Sequence, residues 1–175
     1  MLSANANTIP VCTWAVMEMV CDPTLLAALR EEANSVAIIT DPQTGNRTFD
    51  IDRLKDLPLL QSVYTEVMRR HVSVNITREV RQPFQMEGFT MQKGQVLQAP
   101  TQLAHYDESV WGVEGHPASE FWAWRHVKYV SSSDSDEKTK TPVFELRGRA
   151  TDYFPYGEFF FFFLLSFPSP PLLPI

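Results

Sequence analysis

The sequence has little cysteine, which excludes two classes of small protein. Its 175 residues contain only two cysteines, Cys12 and Cys21, and no secretory signal precedes them. Nine positions apart on a predicted helix, the two side chains point to different faces and make poor disulfide partners. No C-x-x-C pair is present, so a structural zinc site is not expected. We therefore predict neither a disulfide framework nor a metal site built from these residues.

An excess of positive charge is also missing. The chain has 15 Lys and Arg against 21 Asp and Glu, a net charge of -6, and the basic residues are scattered. A surface that binds phosphates needs a basic patch, so the sequence argues against nucleic acid as a partner. No basic segment followed by an apolar core marks a signal peptide or membrane anchor, and the location stays unknown. Hydrophobic residues make up 44%, which favours a folded domain over disorder.

The pattern of apolar residues predicts a mainly α protein with a small β-sheet, an α+β class. We expect a buried helix over 6–21, kinked at Pro10, and a helix over 23–33 that starts at Asp22-Pro23. The most regular helix is predicted over 58–71. Residues 40–48 are expected to form a turn-rich loop, and strands are expected over 74–80, 84–89 and 95–98. Beyond Trp111 the chain is expected to be irregular.

The C-terminal residues have an unusual composition. From Phe159 to Pro174 every residue is Phe, Leu, Ser or Pro, and all four have codons with pyrimidines in the first two positions. Translated pyrimidine-rich non-coding DNA, such as an intron near its acceptor site, gives this composition. A membrane segment is the alternative, but its continuous apolar part is far shorter than the roughly 20 residues a span needs, and its prolines would break a helix.

An ordered series of short motifs carries the functional information. Glu66 and Arg69, at i and i+3, can pair on one helix face, and taken alone this is an ordinary ion pair. The pair is preceded by the stretch 4–10 and followed by 77–80, by 105–111, by 121–126 and by Phe154-Pro155-Tyr156-Gly157. This succession resembles the C-terminal half of the cytochrome P-450 family of haem-thiolate monooxygenases. The resemblance implies a partial cytochrome P-450 domain over 1–157 and an aberrant tail over 158–175.

The resemblance also implies roles for individual residues. Thr8 matches the hydroxyl that helps to deliver protons to dioxygen, and is the expected catalytic residue. Glu66, Arg69 and Arg125 match a buried ion network of the family. Arg78 would bind a propionate of the haem cofactor, because a guanidinium fork suits a carboxylate; an exposed strand arginine is the alternative. His105 is expected to be structural or near a propionate. His126 stands where the family typically has Phe.

One family feature is absent from the sequence. The family loop is F-x-x-G-x-x-x-C-x-G, and here Phe161 stands where the cysteine ligand of iron belongs. The resemblance implies a fragment of a monooxygenase that hydroxylates a small apolar, perhaps sterol- or lipid-like, substrate with electrons from an NADPH-dependent reductase. The chain as given is expected to be inactive. A non-catalytic helical interaction protein, or a small α+β interaction domain outside this family, remains the alternative.

Overall fold

The computed structural model describes residues 2–131, 140–148 and 151–155. Within these ranges the chain forms six helices and eight short strands, an α+β arrangement as predicted. The helices are α1 (Leu2–Cys21), α2 (Pro23–Val36), α3 (Ile51–Leu54), α4 (Pro58–His71), α5 (Thr101–His105) and α6 (Glu108–Trp111). The strands are β1 (Ile38–Thr40), β2 (Arg47–Phe49), β3 (Asn75–Glu79), β4 (Phe84–Met86), β5 (Phe89–Met91), β6 (Val96–Pro100), β7 (Val127–Ser131) and β8 (Lys140–Phe144).

Local signals fix the starts of α2 and α4. The Asp22 carboxylate accepts hydrogen bonds from the amides of Thr24 and Leu25, at 2.9 and 3.0 Å, which satisfies two donors that a helix start leaves free. Helix α4 begins at a proline and has no capping side chain of its own. Its amides at Leu59 and Leu60 donate instead to the carboxylate of Glu32 on α2, at 2.9 and 3.2 Å. The cap of α4 therefore also fastens it to α2.

The strands in the described residues pair into four separate antiparallel ribbons: β1 with β2, β3 with β6, β4 with β5, and β7 with β8. One prediction is confirmed here and two need correction. The turn-rich loop expected over 40–48 is present over 41–46, where it joins β1 to β2, and only its ends belong to the two strands. The strand expected over 84–89 is two strands joined at Glu87-Gly88, where both residues have positive φ (48° and 82°) and the turn is therefore tight. The region beyond Trp111, predicted irregular, contains β7 and β8.

The hydrophobic core lies between α2 and α4. It consists of side chains at most 8% exposed: Leu25, Leu29, Leu59, Val63, Val67 and Ala123. Part of α1 packs against this core through Val11, Ala15 and Met19. The opposite side of α1 does not pack, since Ile9 and Val20 are each 61% exposed, so the prediction of a buried helix is wrong for that face. The pattern failed there because it reports how apolar a helix is and not what covers it.

The length and composition of the helices bear on whether they could cross a membrane. No single helix in the described ranges is long and apolar enough to do so. The residues Thr8–Cys21 and Pro23–Val36 pass together by length and composition only, and they are bent by 107°.

Candidate functional site

A buried ion cluster lies where α4 meets the chain between α5 and β7. Glu66 and Arg69 lie one turn apart on α4, and Arg125 joins them from a turn before β7; all three side chains are 0% exposed. Arg69 donates to both carboxylate oxygens of Glu66, each at 2.8 Å. Arg125 Nε donates to Glu66 Oε1 at 2.8 Å. The structure thus places the three residues of the predicted ion network in mutual contact.

The cluster contains two guanidinium groups and one carboxylate, so it has an excess positive charge. Backbone carbonyls compensate for it. Arg69 Nη1 donates to the carbonyls of His105 and Ala118, at 2.5 and 2.7 Å. Arg125 donates to the carbonyls of Trp111, Pro117 and Glu120. Because a buried charge is tolerated only when its hydrogen bonds are made, these carbonyls are part of the cluster.

The carboxylate of Glu66 is held in its charged form. Burial by itself would raise the pKa of this group. The hydrogen bonds from Arg69 and the charges of Arg69 and Arg125 outweigh burial, and they hold the pKa of Glu66 well below its usual range. The Trp122 amide adds a further hydrogen bond to Oε1 at 3.2 Å. The carboxylate of Glu66 is therefore charged at neutral pH.

Two histidines border the cluster; a structural role was one of the two expected for His105, and none was predicted for His126. His105 and His126 are 0% and 1% exposed. Burial, and for His105 the nearby charge of Arg69, lower the pKa of both rings, to about 4 for His105. His126 Nε2 lies 3.5 Å from Glu66 Oε2 without forming a hydrogen bond. Both histidines are consequently neutral at pH 7, so they do not add to the excess positive charge of the cluster.

The other side of α4 borders a cavity of about 610 Å³. Successive helix residues are 100° apart, so Tyr64, Met68 and His71 share a face roughly opposite to that of the ion cluster. This face lines the cavity together with Thr8, Cys12 and Trp14 of α1, residues 72–74 and Pro155. The lining is mainly apolar, and the volume falls within the range of small-molecule and cofactor sites.

A stacked pair joins α1 to α4 at the cavity wall. The rings of Trp14 and His71 are parallel, with centroids 4.1 Å apart. His71 Nε2 also lies 2.7 Å from Glu18 Oε1. These contacts hold the helix that carries Thr8 against the helix that carries the ion cluster.

The remaining predicted site residues lie in different surroundings. Thr8 is exposed and lines the cavity. Arg78 is an exposed residue of β3 that does not line it, and its Nη1 donates to the Thr77 carbonyl at 2.8 Å. Gly157, Phe161 and the tail over 158–175 lie outside the described residues.

The mainly apolar lining and the volume of the cavity suit a cofactor site. The two cysteines, Cys12 and Cys21, are both exposed on α1, and Cys12 lines the cavity, but neither lies at the family's ligand position after Gly157. Within the described ranges, no group of three or more His, Cys, Asp or Glu side chains could hold a metal ion. We therefore derive no chemistry at iron from these residues.

Comparisons with known proteins give a consistent result. The sequence model of the family described as cytochrome P-450 matches residues 1–114. The chain is 48% identical over 153 residues to cytochrome P-450 monooxygenase calL of Penicillium decumbens, covering 87% of this chain and 27% of that protein. It is 30% identical to cytochrome P-450 monooxygenase efuG of Hormonema carpetanum, and the match covers 90% of this chain and 31% of that protein. It is 27% identical to cholesterol 7-alpha-monooxygenase of Cricetulus griseus, and the match covers 89% of this chain and 31% of that protein. The chain thus spans about 30% of the length of these relatives.

Proposed function

Because the chain belongs to the cytochrome P-450 family, whose cofactor is haem, we propose that it is a part of a haem-dependent monooxygenase. The whole enzyme inserts one oxygen atom of dioxygen into a small apolar substrate, with electrons from an NADPH-dependent reductase. The observation that carries this proposal is the placement of α4. One face of this helix holds the buried Glu66–Arg69–Arg125 cluster, and the other lines an apolar cavity.

In this proposal the ion cluster supports the cofactor site from behind. A guanidinium fork fixes the direction as well as the distance of each partner. Arg69 and Arg125 between them hold six carbonyls of the chain from His105 to Glu120. That chain passes close to Phe154, since the Phe154 amide donates to His105. The cluster is therefore a structural element of the site and does not touch substrate.

Thr8 and Arg78 receive the two remaining roles. Thr8 lines the cavity from α1, where a hydroxyl can hold water and pass protons to a bound oxygen ligand. Arg78 would bind a haem propionate, which requires its side chain to exchange the local Thr77 carbonyl for a carboxylate. A carboxylate is a stronger acceptor for a guanidinium than a carbonyl is. The side chain of Arg78 would also have to reach the cavity, which it does not line.

The substrate class is proposed from the cavity and the relatives. The lining is mainly apolar, which suits a sterol- or lipid-like molecule. One relative described above is named as a cholesterol monooxygenase. Another, oryzalexin E synthase of Oryza sativa subsp. japonica, is 26% identical to this chain and is named for a different product. We propose an apolar polycyclic or lipid-like substrate and no particular molecule.

We further propose that the chain as given does not catalyse this reaction. Position 161, four residues after Gly157, is Phe. Phenylalanine cannot ligate iron, whereas a thiolate both ligates it and favours O–O cleavage. In this proposal residues 1–157 are the enzyme-like domain and 158–175 are translated non-coding sequence. A non-catalytic interaction protein is the second candidate, and Phe161 is the observation that favours it.

Two linked experiments test these proposals. The messenger RNA is sequenced across the codon for Gly157, and we expect the pyrimidine-rich stretch to be spliced out and followed by a Gly-x-x-x-Cys sequence. The mature product and the 175-residue chain are then expressed side by side, and the carbon monoxide difference spectrum of each reduced protein is recorded.

Only the mature product is expected to give a thiolate-haem spectrum. A retained stretch, or a mature product without such a spectrum, would refute the monooxygenase proposal and favour the interaction protein. A thiolate spectrum from the 175-residue chain would show that the proposed inactivity is wrong.

A further inference from the structure

The last described part of the chain touches the ion cluster through two histidine rings. We call residues 145–148 and 151–155 the docking segment. Its Arg147 amide donates to His126 Nδ1 at 3.0 Å, and its Phe154 amide donates to His105 Nε2 at 3.2 Å. Each ring is almost fully buried. Two backbone donors of one segment are therefore satisfied by side chains that adjoin the same ion cluster.

His105 is bound to the cluster through its own backbone. Its carbonyl accepts a hydrogen bond from Arg69 Nη1, while its ring accepts one from Phe154. The ring also packs against Tyr153 and Phe154, with centroids 5.7 and 5.5 Å away. A single residue, His105, therefore links Arg69 to the docking segment.

His126 is bound to the cluster on the other side. Its Nε2 atom lies 3.5 Å from Glu66 Oε2, and its Nδ1 atom accepts a hydrogen bond from the Arg147 amide. Its own amide donates to Ser62 Oγ of α4 at 3.1 Å, and its carbonyl accepts the Glu145 amide at 2.8 Å. The family typically has Phe here, which could fill the space but could not accept the Arg147 amide.

The docking segment is also closely packed against α6. A Cβ added to Gly148 would lie 3.0 Å from Val110 and 3.1 Å from Trp111, so a side chain here would require these neighbours to shift. Trp111 packs edge-on against both His126 and Tyr153, with centroids 5.9 and 6.3 Å apart. The indole thus fills the space between the two hydrogen-bonded points.

From this geometry we propose that His105 and His126 are positioning residues, which dock the docking segment, residues 145–148 and 151–155, onto the Glu66–Arg69–Arg125 cluster as two neutral acceptors. The roles of the ring nitrogens require opposite tautomers, with the proton on Nδ1 of His105 and on Nε2 of His126. The contacts stand on the described residues alone. These contacts would also position the residues that lead to Gly157 beside the haem, and this consequence rests on the proposed function.

Burial is the main reason that both rings are neutral, and the charge of Arg69 acts in the same direction, whereas the Glu66 carboxylate beside His126 acts against it. His105 faces Arg69 of α4 and Tyr153 of the docking segment, and His126 faces Glu66, Arg69 and Arg125. A proton added to either ring removes its acceptor nitrogen and places a further positive charge in the interior near Arg69. The docking contacts should therefore open in acid while α4 stays folded.

The test is amide hydrogen exchange of the 175-residue chain without haem, resolved to single residues by nuclear magnetic resonance. His105→Phe keeps a ring but removes the acceptor, and we expect the Phe154 amide to exchange about tenfold faster, since a buried hydrogen bond is lost. His105→Gln places an oxygen near the former Nε2 and should restore slow exchange. The same comparison is made for the other ring: His126→Phe should speed the exchange of the Arg147 amide, and His126→Asn should restore slow exchange. The Val63 and Val67 amides of α4 report whether each variant folds.

The proposal is overturned if the Phe variants leave the exchange of Phe154 and Arg147 unchanged, or if the Gln and Asn variants fail to restore protection in a folded protein. If a Phe variant does not fold, the unsubstituted chain decides the matter. Its Phe154 exchange, corrected for the chemical pH dependence, should rise as the pH falls through about 4 while Val67 stays protected; parallel behaviour of both amides refutes the docking role. None of these outcomes depends on haem, so they are independent of the proposed enzyme activity.

Discussion

Removal of the single negative charge of the ion cluster should destabilise the fold strongly. Glu66→Gln keeps the size and shape of the side chain but replaces a carboxylate with a neutral amide. At this position the carboxylate oxygens accept four hydrogen bonds, two from Arg69, one from Arg125 and one from the Trp122 amide. The amide nitrogen of Gln would face guanidinium N–H groups, from which it cannot accept a hydrogen bond. Two buried positive charges would then lack their counter-charge.

The magnitude follows from burial. Removing one partner of a buried ion pair costs about 3–5 kcal/mol, whereas an exposed pair contributes less than about 1 kcal/mol. The chain has a matched exposed pair, Lys128–Glu145, whose nitrogen–oxygen distance is 2.9 Å and whose side chains are each 60% exposed. In urea, with a slope of about 2 kcal/mol per M, Glu66→Gln should lower the midpoint by about 2 M or abolish a cooperative transition. Glu145→Gln should shift it by less than about 0.5 M.

The comparison of the two variants is the refuting test. Equal and small shifts for Glu66→Gln and Glu145→Gln would mean that the backbone carbonyls alone stabilise the two guanidiniums. The cluster would then not need its carboxylate, and the assignment of Glu66 as its central residue would be wrong.

Three further predictions use other parts of the fold, each checked by urea unfolding. Asp22→Ala should cost about 1 kcal/mol because two amides of α2 lose their cap, while Asp22→Asn should cost much less. Leu25→Ala, in a core position 1% exposed, should cost about 3 kcal/mol, and Leu103→Ala, at 74% exposure, should have almost no effect. The pKa of His105 is about 6.5 in the unfolded chain and about 4 in the folded chain. Because the unfolded chain binds this proton at the higher pH, the free energy of unfolding should fall by about 3 kcal/mol as the pH falls from 6.5 to 4. A His105→Gln variant should lack this contribution to the decrease.

Elements with local signals could be predicted from the sequence. Helix α4 begins at Pro58 and ends at His71, as the spacing of its apolar residues indicated. Helix α2 has the predicted cap at Asp22 and continues three residues beyond the predicted end. In both cases the proline and the apolar period act within the element itself, so no knowledge of distant contacts was needed.

Features set by distant contacts could not be predicted in the same way. Strands β7 and β8 are mostly exposed and contain Pro142 and two lysines, so neither has the alternation that indicates a half-buried strand. The exposed face of α1 is as apolar as its packed face. The acceptor roles of His105 and His126 depend on donors 49 and 21 residues further along the chain. A lone histidine in a sequence does not specify such a partner.

The ion cluster explains how the chain between α5 and β7 folds with little regular structure. Apart from the four-residue helix α6 and one isolated bridge, this stretch has no ladder to satisfy its carbonyls. A buried carbonyl without a donor is costly, and two guanidinium groups supply donors in a fixed planar geometry. Arg69 and Arg125 bind carbonyls from His105 to Glu120, and the carboxylate of Glu66 keeps both charges in the interior. Lysine could supply charge at these positions but not the fork, so the geometry of arginine and the charge of glutamate are needed together.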